Sequence, residues 1–127
     1  MKTLVRGLVG FSGTSAILIA MLFWLRPLEI SGKFGLSGIG ALGQASLRAD
    51  LGGFFAGVGA LMLWAAVKDR RDLLLAPLML ICLALAGRGL SLILAGPSPE
   101  QVPPIVVEAV TLAILLLGRR TLSAPKA

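Results

Sequence analysis

Four long apolar runs, separated by short polar breaks, organise the chain. The first, "GLVGFSGTSAILIAMLFWL", covers residues 7–25 behind Lys2 and Arg6. The second span, 48–67, has Arg48 and Asp50 at its mouth and the apolar stretch "LGGFFAGVGALMLWAAV" from Leu51 to Val67. The third, 73–95, holds Pro77 in its first turns, where a proline does least damage to helical hydrogen bonding. The fourth, 103–120, opens on Pro103 and Pro104, suited to a first helical turn, and closes on Arg119 and Arg120. Runs of about 16 to 23 residues, rising 1.5 Å per residue, cross a hydrocarbon layer of roughly 30 Å. The fourth run is the shortest, and snorkelling arginines extend its reach. The pattern predicts an all-α fold, a single integral membrane domain of four transmembrane helices spanning residues 1–127.

A basic start followed by an apolar core also describes a signal peptide. The first run, however, ends in "FWLRP", without the small-residue pair that a signal peptidase needs. It reads as a retained span with Trp24 and Arg26 as interface anchors. The connection 26–46, "RPLEISGKFGLSGIGALGQAS", mixes Gly and Ser with Ile, Leu and Phe, which a simple polar linker would lack. It is expected to lie partly ordered over the outer face, with a short interfacial helix. The segment "GPSPEQVPP", residues 96–104, reads as a stiff turn.

Charge sets the orientation. Outside the runs, Lys2, Arg6, Lys68, Arg70, Arg71, Arg119, Arg120 and Lys126 fall on one side, and Arg26, Lys33 and Arg48 on the other. Eight against three places both termini and the Lys68–Asp72 turn in the cytoplasm. The net charge of +6 is read as this bias rather than as a nucleic-acid footprint, because few aromatic residues lie among the cations for base stacking. No nucleic-acid partner is expected.

Composition narrows the chemistry. The chain is 57% hydrophobic and 14% charged, against roughly 25% charge in a soluble domain. Its 16 glycines beside so much Leu and Ala point to closely packed membrane helices. There is no histidine, so serine–histidine and cysteine–histidine catalysis are excluded. The single cysteine, Cys82, permits no internal disulfide and reads as a small buried hydrophobe. No metal, haem or other cofactor is expected, and no enzymatic activity.

Against this background Arg88 stands out. It lies between Gly87 and Gly89 in "LALAGRGLSLILAG", inside a run with no other charge. An arginine at such depth costs at least ~2.5 kcal/mol on insertion scales, so a counter-charge is expected. Arg88 precedes Ala95 by seven residues, which places it roughly 10 Å below the outer end of its helix. Glu108 follows Pro104 by four, roughly 6 Å below the outer end of the next helix. Arg48 and Asp50 stand at the outer mouth of the second span. The four form a neutral intramembrane cluster in which Arg88 is expected to bridge Glu108 and Asp50, with Arg48 nearer to solvent.

The second span itself is glycine-rich on two faces. At 100° per residue, Gly53 and Gly57 share a stripe with Asp50, while Gly52 and Gly59 fall opposite with Arg48. Both are surfaces that admit close helix approach, so this helix is expected in the middle of the bundle, with Gly53 and Gly57 facing the protein's own bundle and Gly52 and Gly59 facing another helix of the same chain or a partner. Gly87 and Gly89 are expected to leave room for the Arg88 side chain to reach across.

The segments "LRADLGGFFAGVGALMLWA", "GRGLSLILAGP" and "VVEAVTLAILLL" resemble the bacterial domain-of-unknown-function 4345 family of small four-helix membrane proteins. The likeness covers about residues 45–120 and rests on Arg48, Gly52, Gly53, Gly57, Gly59, Gly87, Arg88 and Glu108. Asp50 stands where such families usually carry a larger acid. The resemblance implies a four-span fold in a bacterial inner membrane and no established activity. A more distant similarity to DoxX-type four-helix proteins is one of fold alone.

Two readings of function follow. The first is a non-enzymatic accessory or structural subunit of a larger membrane complex, with membrane lipid and another membrane protein, or a second copy, as partners. The alternative is a small transporter or a binder of a lipid or quinone-type ligand, using an outer-leaflet Arg88–Glu108 pocket. Topology is open to direct test. Reporter fusions after Val67 and after Arg120 are expected to report cytoplasm, and one within 96–100 the opposite side. An external signal from the Arg120 fusion overturns the assigned orientation.

Overall fold

The structure, a computed structural model, describes residues 1–126. Among them there is no strand, and six α-helices follow one another as α1 (Lys2–Leu25), α2 (Pro27–Lys33), α3 (Gly40–Ser46), α4 (Gly53–Lys68), α5 (Leu75–Ala95) and α6 (Val102–Thr121). A π-helical turn, Leu47–Gly52, joins α3 to α4 without a break. Short 3₁₀ turns, Asp72–Leu74 and Pro99–Gln101, lead into α5 and α6. Four continuous helical stretches are long and apolar enough to cross a membrane: Lys2–Leu25, Gly40–Lys68, Asp72–Ala95 and Pro99–Thr121. The chain is therefore an all-α, multi-pass membrane protein.

The connection after α1 is more helical than its composition suggests. Pro27 starts α2 at a position where its missing N–H is no loss. Gly40, at φ +64°, makes the turn from which the next helix begins. From there Gly40–Lys68 runs as 29 helical residues, so the expected loop 26–46 ends well before residue 46. Phe34, just beyond α2, is held against the bundle by rings. It lies 5.3 Å from Phe23 and 5.8 Å from Phe55, while Phe23 and Phe55 stack at 6.0 Å.

The backbones of α1 and α4 come into direct contact. A side-chain carbon on Gly13 would meet the Gly59 carbonyl oxygen and the Leu63 nitrogen, each at 2.8 Å. One on Gly59 would meet the Gly13 carbonyl oxygen at 2.6 Å and the Ile17 nitrogen at 2.9 Å. The two helix backbones touch, and only glycine fits at either position. Further along the same face, Gly52 lies under the Trp24 indole, which fills the place of its absent side chain.

Of the two glycine faces expected to pack, only that of Gly52 and Gly59 does so within the chain. Gly53 and Gly57 meet nothing within 4 Å, and the same holds for Gly87 and Gly89. None of these four packs a helix within the chain. Gly52 and Gly59 carry the packing instead, because α4 turns their stripe towards α1. The helix is not enclosed on both sides.

The core lies in the half of the bundle nearer the termini. Val5 and Val9 of α1, Met62, Ala65 and Ala66 of α4, Leu74, Ile81 of α5 and Leu115 of α6 bury together. Gly118 completes the join, since a side chain there would strike Leu74 at 2.6 Å and Val9 at 3.1 Å. Beyond this zone α5 and α6 bury little, with Leu85, Leu112 and Ile114 only partly buried against the core. No residue from Cys82 to Ile114 is buried. Cys82 is accordingly exposed rather than buried, because its neighbour Ile81 takes the inward position on α5.

A pair of glycine substitutions tests the crossing. Gly59→Ala is expected to destabilise the protein by about 1–3 kcal/mol, since its methyl meets backbone that has no rotamer to yield. Gly57→Ala projects into open space and gains helix propensity, with an expected effect between neutral and about 0.5–1 kcal/mol stabilising. Thermal unfolding in mild detergent reads both, and equal effects would show that the crossing does not decide stability.

Candidate functional site

The geometry joins two of the four charged residues singled out in the sequence. Arg88 of α5 donates from Nε to Oε2 of Glu108 on α6 at 2.8 Å. The two helices run antiparallel from the 96–101 turn, which sets these positions side by side. The side chains keep 32% and 18% of their surface exposed. Among the described residues neither Nη of Arg88 nor Oε1 of Glu108 has a further hydrogen-bond partner. The pair neutralises its own charge, yet it presents unused donors and an unused acceptor on an otherwise apolar face. A side-chain carbon on Gly87 or on Gly89, either side of Arg88, would meet nothing within 4 Å.

Arg48 and Asp50 do not join them. Arg48 donates from Nε to the Trp24 carbonyl at 2.9 Å, and the Trp24 indole Nε1 donates back to the Arg48 carbonyl at 3.1 Å. This reciprocal pair couples the end of α1 to the π-helical turn. The wider winding of the turn accompanies the placing of Arg48 over Trp24 rather than towards α5. Asp50 is exposed, and no ion pair of its carboxylate forms among the described residues. The expected bridge from Arg88 to Asp50 does not form: Arg88 pairs with Glu108, and Asp50 lies exposed on a stripe whose Gly53 and Gly57 meet nothing within 4 Å.

A second polar assembly, at the termini, was not foreseen. Asp69 follows the last residue of α4 in the left-handed region, at φ 52°. Its carboxylate meets Lys2 Nζ at 2.7 Å and accepts from the Ser123 hydroxyl at 2.6 Å and the Ser123 backbone N–H at 3.2 Å. Lys2 also donates to the Ser123 hydroxyl at 2.7 Å, and the Arg71 N–H donates to the Ser123 carbonyl at 3.0 Å. First helix, central turn and tail are thus tied through one carboxylate. Sequence separation of 121 residues between Lys2 and Ser123 hides such a clasp from local pattern. The only cue was an acidic residue just past a helix end. Nearby, Arg70 donates to Asp72 at 3.0 Å, and Arg6 donates to the carbonyls of Ala66 at 2.8 Å and Val67 at 3.1 Å.

Two concavities accompany this end. One, of about 460 Å³, is lined by Thr3, Arg6, Gly7, Gly10, Leu63, Ala66 and Val67; the other, of about 430 Å³, lies beside Asp69 and Ser123. Neither includes Arg88 or Glu108. Among the described residues no three His, Cys, Asp or Glu side chains come together as a metal site.

Residues 4–118 match the model of a protein family described as a domain of unknown function (DUF4345). No curated protein and no solved structure matches the chain.

The clasp has a definite pH signature. The hydrogen bond from Lys2, then the one from the Ser123 hydroxyl, hold the Asp69 carboxyl down at about 2, below its ordinary 3.8. A carboxyl depressed on folding stabilises the folded state above its ordinary value, and the gain is lost as pH falls through the folded value. Asp69→Asn keeps a side chain that tolerates the left-handed backbone. The thermal stability difference between wild type and Asp69→Asn is therefore expected to be largest above pH 4 and to shrink towards pH 2, as measured in detergent. A difference independent of pH overturns this role.

Proposed function

The chain belongs to the DUF4345 family, and we propose that it is a non-enzymatic subunit of a larger membrane assembly, docking through the face formed by α5 and α6. The observation that carries this reading is the unburied stretch from Cys82 to Ile114, with an ion pair in its midst. Lipid tails suit the exposed Leu83, Leu90, Ile93, Leu94, Val106 and Val110 well enough. They do not suit the unused nitrogens of Arg88 or the unused oxygen of Glu108, which have no partner in hydrocarbon. A neighbouring helix offering a carbonyl, hydroxyl or carboxamide would satisfy them, and Gly87 and Gly89 would let its backbone come close. In this reading the two glycines serve the assembly rather than the monomer.

The same proposal places both termini in the cytoplasm of a bacterium and the protein in its inner membrane, in line with the distribution of Lys and Arg. It assigns no catalysis. The ligand-binding alternative draws on the same polar atoms of Arg88 and Glu108.

Copurification from mild detergent, combined with a double-mutant cycle, tests the proposal. Wild type is expected to bring down a stoichiometric membrane partner. Glu108→Gln leaves a cation in the membrane without its counter-charge and is expected to cost about 2–3 kcal/mol. Combining it with Arg88→Met is expected to recover part of that stability without recovering the partner. Stability and partner both retained in the double variant would make the pair a device of internal packing only. A lone, partner-free protein overturns the subunit reading.

A further inference from the structure

We propose that the groove between α1 and α4 at the termini end is a binding site for one anionic phospholipid. Its walls are Gly7 and Gly10 on one helix and Leu63, Ala66 and Val67 on the other, with Thr3 and Arg6 at its polar end. The groove exists because glycines stand where side chains would otherwise close it. A carbon on Gly7 would meet nothing within 4 Å, and one on Gly10 would only reach Ala66 at 3.5 Å. From Thr3 to Gly10 the furrow runs roughly 10 Å along α1, apolar below and polar at the mouth. That is the profile of an acyl chain under its headgroup.

The mouth is built for a phosphate. Arg6 spends Nε and Nη2 on the Ala66 and Val67 carbonyls, which fixes its plane and leaves Nη1 directed to neither. No carboxylate lies within ion-pair distance of it among the described residues. Thr3 completes the donor set. Thr14, Thr111 and Thr121 each donate to the carbonyl four residues back, whereas Thr3 sits in the first turn of α1 and has no such carbonyl to use. Lys68, next to Val67 at the end of α4, is exposed.

Charge selects an anionic headgroup over a zwitterionic one. Lys2, Arg6, Lys68, Arg70, Arg71, Arg119, Arg120 and Lys126 share this end with Asp69 and Asp72 alone. Asp69 is engaged by Lys2 and Asp72 by Arg70, so neither offsets Arg6. Basic concavities at a helix end recruit acidic lipids by this means. The site is separate from the α5–α6 face, and its fate does not depend on the subunit reading.

Native mass spectrometry of the full-length protein, released from detergent with equal amounts of phosphatidylglycerol and phosphatidylcholine of identical chains, tests the site. Wild type is expected to retain one phosphatidylglycerol in preference. Arg6→Gln is expected to lower that retention about fivefold, the factor one interfacial cation contributes. Gly7→Leu, whose Cβ meets nothing within 4 Å and whose branch enters the groove, is expected to lower it at least as much. Gly53→Leu, equally open but at the far end of α4, is expected to leave it unchanged. If Arg6→Gln does not fold, Val67→Trp blocks the groove from its other wall and is expected to behave as Gly7→Leu. Equal retention of the two lipids, or undiminished phosphatidylglycerol in Gly7→Leu, overturns the proposal.

Discussion

Everything in this fold is referred to the contact of two backbones, α1 against α4, where Gly13 and Gly59 leave no room for any side chain. Between helices in lipid there is no large hydrophobic gain from association, so close packing has to supply the attraction. Contact at this crossing brings Val5, Val9, Met62 and Ala65 within reach of one another, and the core forms there. It also sets the rotation of α4. Once Gly59 faces α1, Gly52 must do so too, and the Trp24 indole settles onto it. The stripe of Gly53 and Gly57 is thereby turned away.

The second helical pair depends on the first but does not mirror it. Leu74, Ile81, Leu115 and Gly118 anchor α5 and α6 onto the core near the termini. The clasp of Lys2, Asp69 and Ser123 locks the same end from outside. At the other end α1 and α4 are held by Phe23, Phe34, Phe55 and the Trp24–Arg48 exchange, none of which reaches α5 or α6. One end of the bundle is thus closed by four helices, and the other only by two pairs side by side. Among the described residues the partly exposed Arg88–Glu108 contact is the one salt bridge between α5 and α6.

Legibility in the sequence follows this division. Helix existence was readable because apolar runs of membrane length have few other solutions. The partnership of Arg88 with Glu108 was readable because depth can be counted along two helices joined by a short turn, and a cation in lipid restricts the choice of partner. The rotation of α4 was not. Small residues occupy both of its faces, so periodicity is satisfied either way, and the decision rests with Gly13 and Trp24 on another helix. Asp50 follows the same rule: its stripe carries small residues as an inner face would, yet it faces away from the contact with α1. The continuation of α4 back to Gly40 was obscured by glycines that read as loop, although in the structure they form helix. The terminal clasp joins residues from opposite ends of the chain, which no local signal announces.

The two ends also handle charge by opposite physical means. At the α5–α6 face, a cation lies where water is scarce, and a carboxylate on the neighbouring helix neutralises it at short range. At the termini, cations outnumber carboxylates, and most are left to water, screening ions and lipid headgroups. Arg6 shows how the two regimes meet. It is partly buried, yet it has carbonyl oxygens rather than a carboxylate as partners. Those carbonyls belong to the last turn of α4, where the helix dipole is negative, so they stabilise the guanidinium without cancelling its charge. A carboxylate in their place would have closed the site electrically as Glu108 does for Arg88. Because carbonyls hold Arg6 instead, the side chain is both fixed in position and still cationic, which is the condition for attracting an anion to the edge of a groove that glycine keeps open.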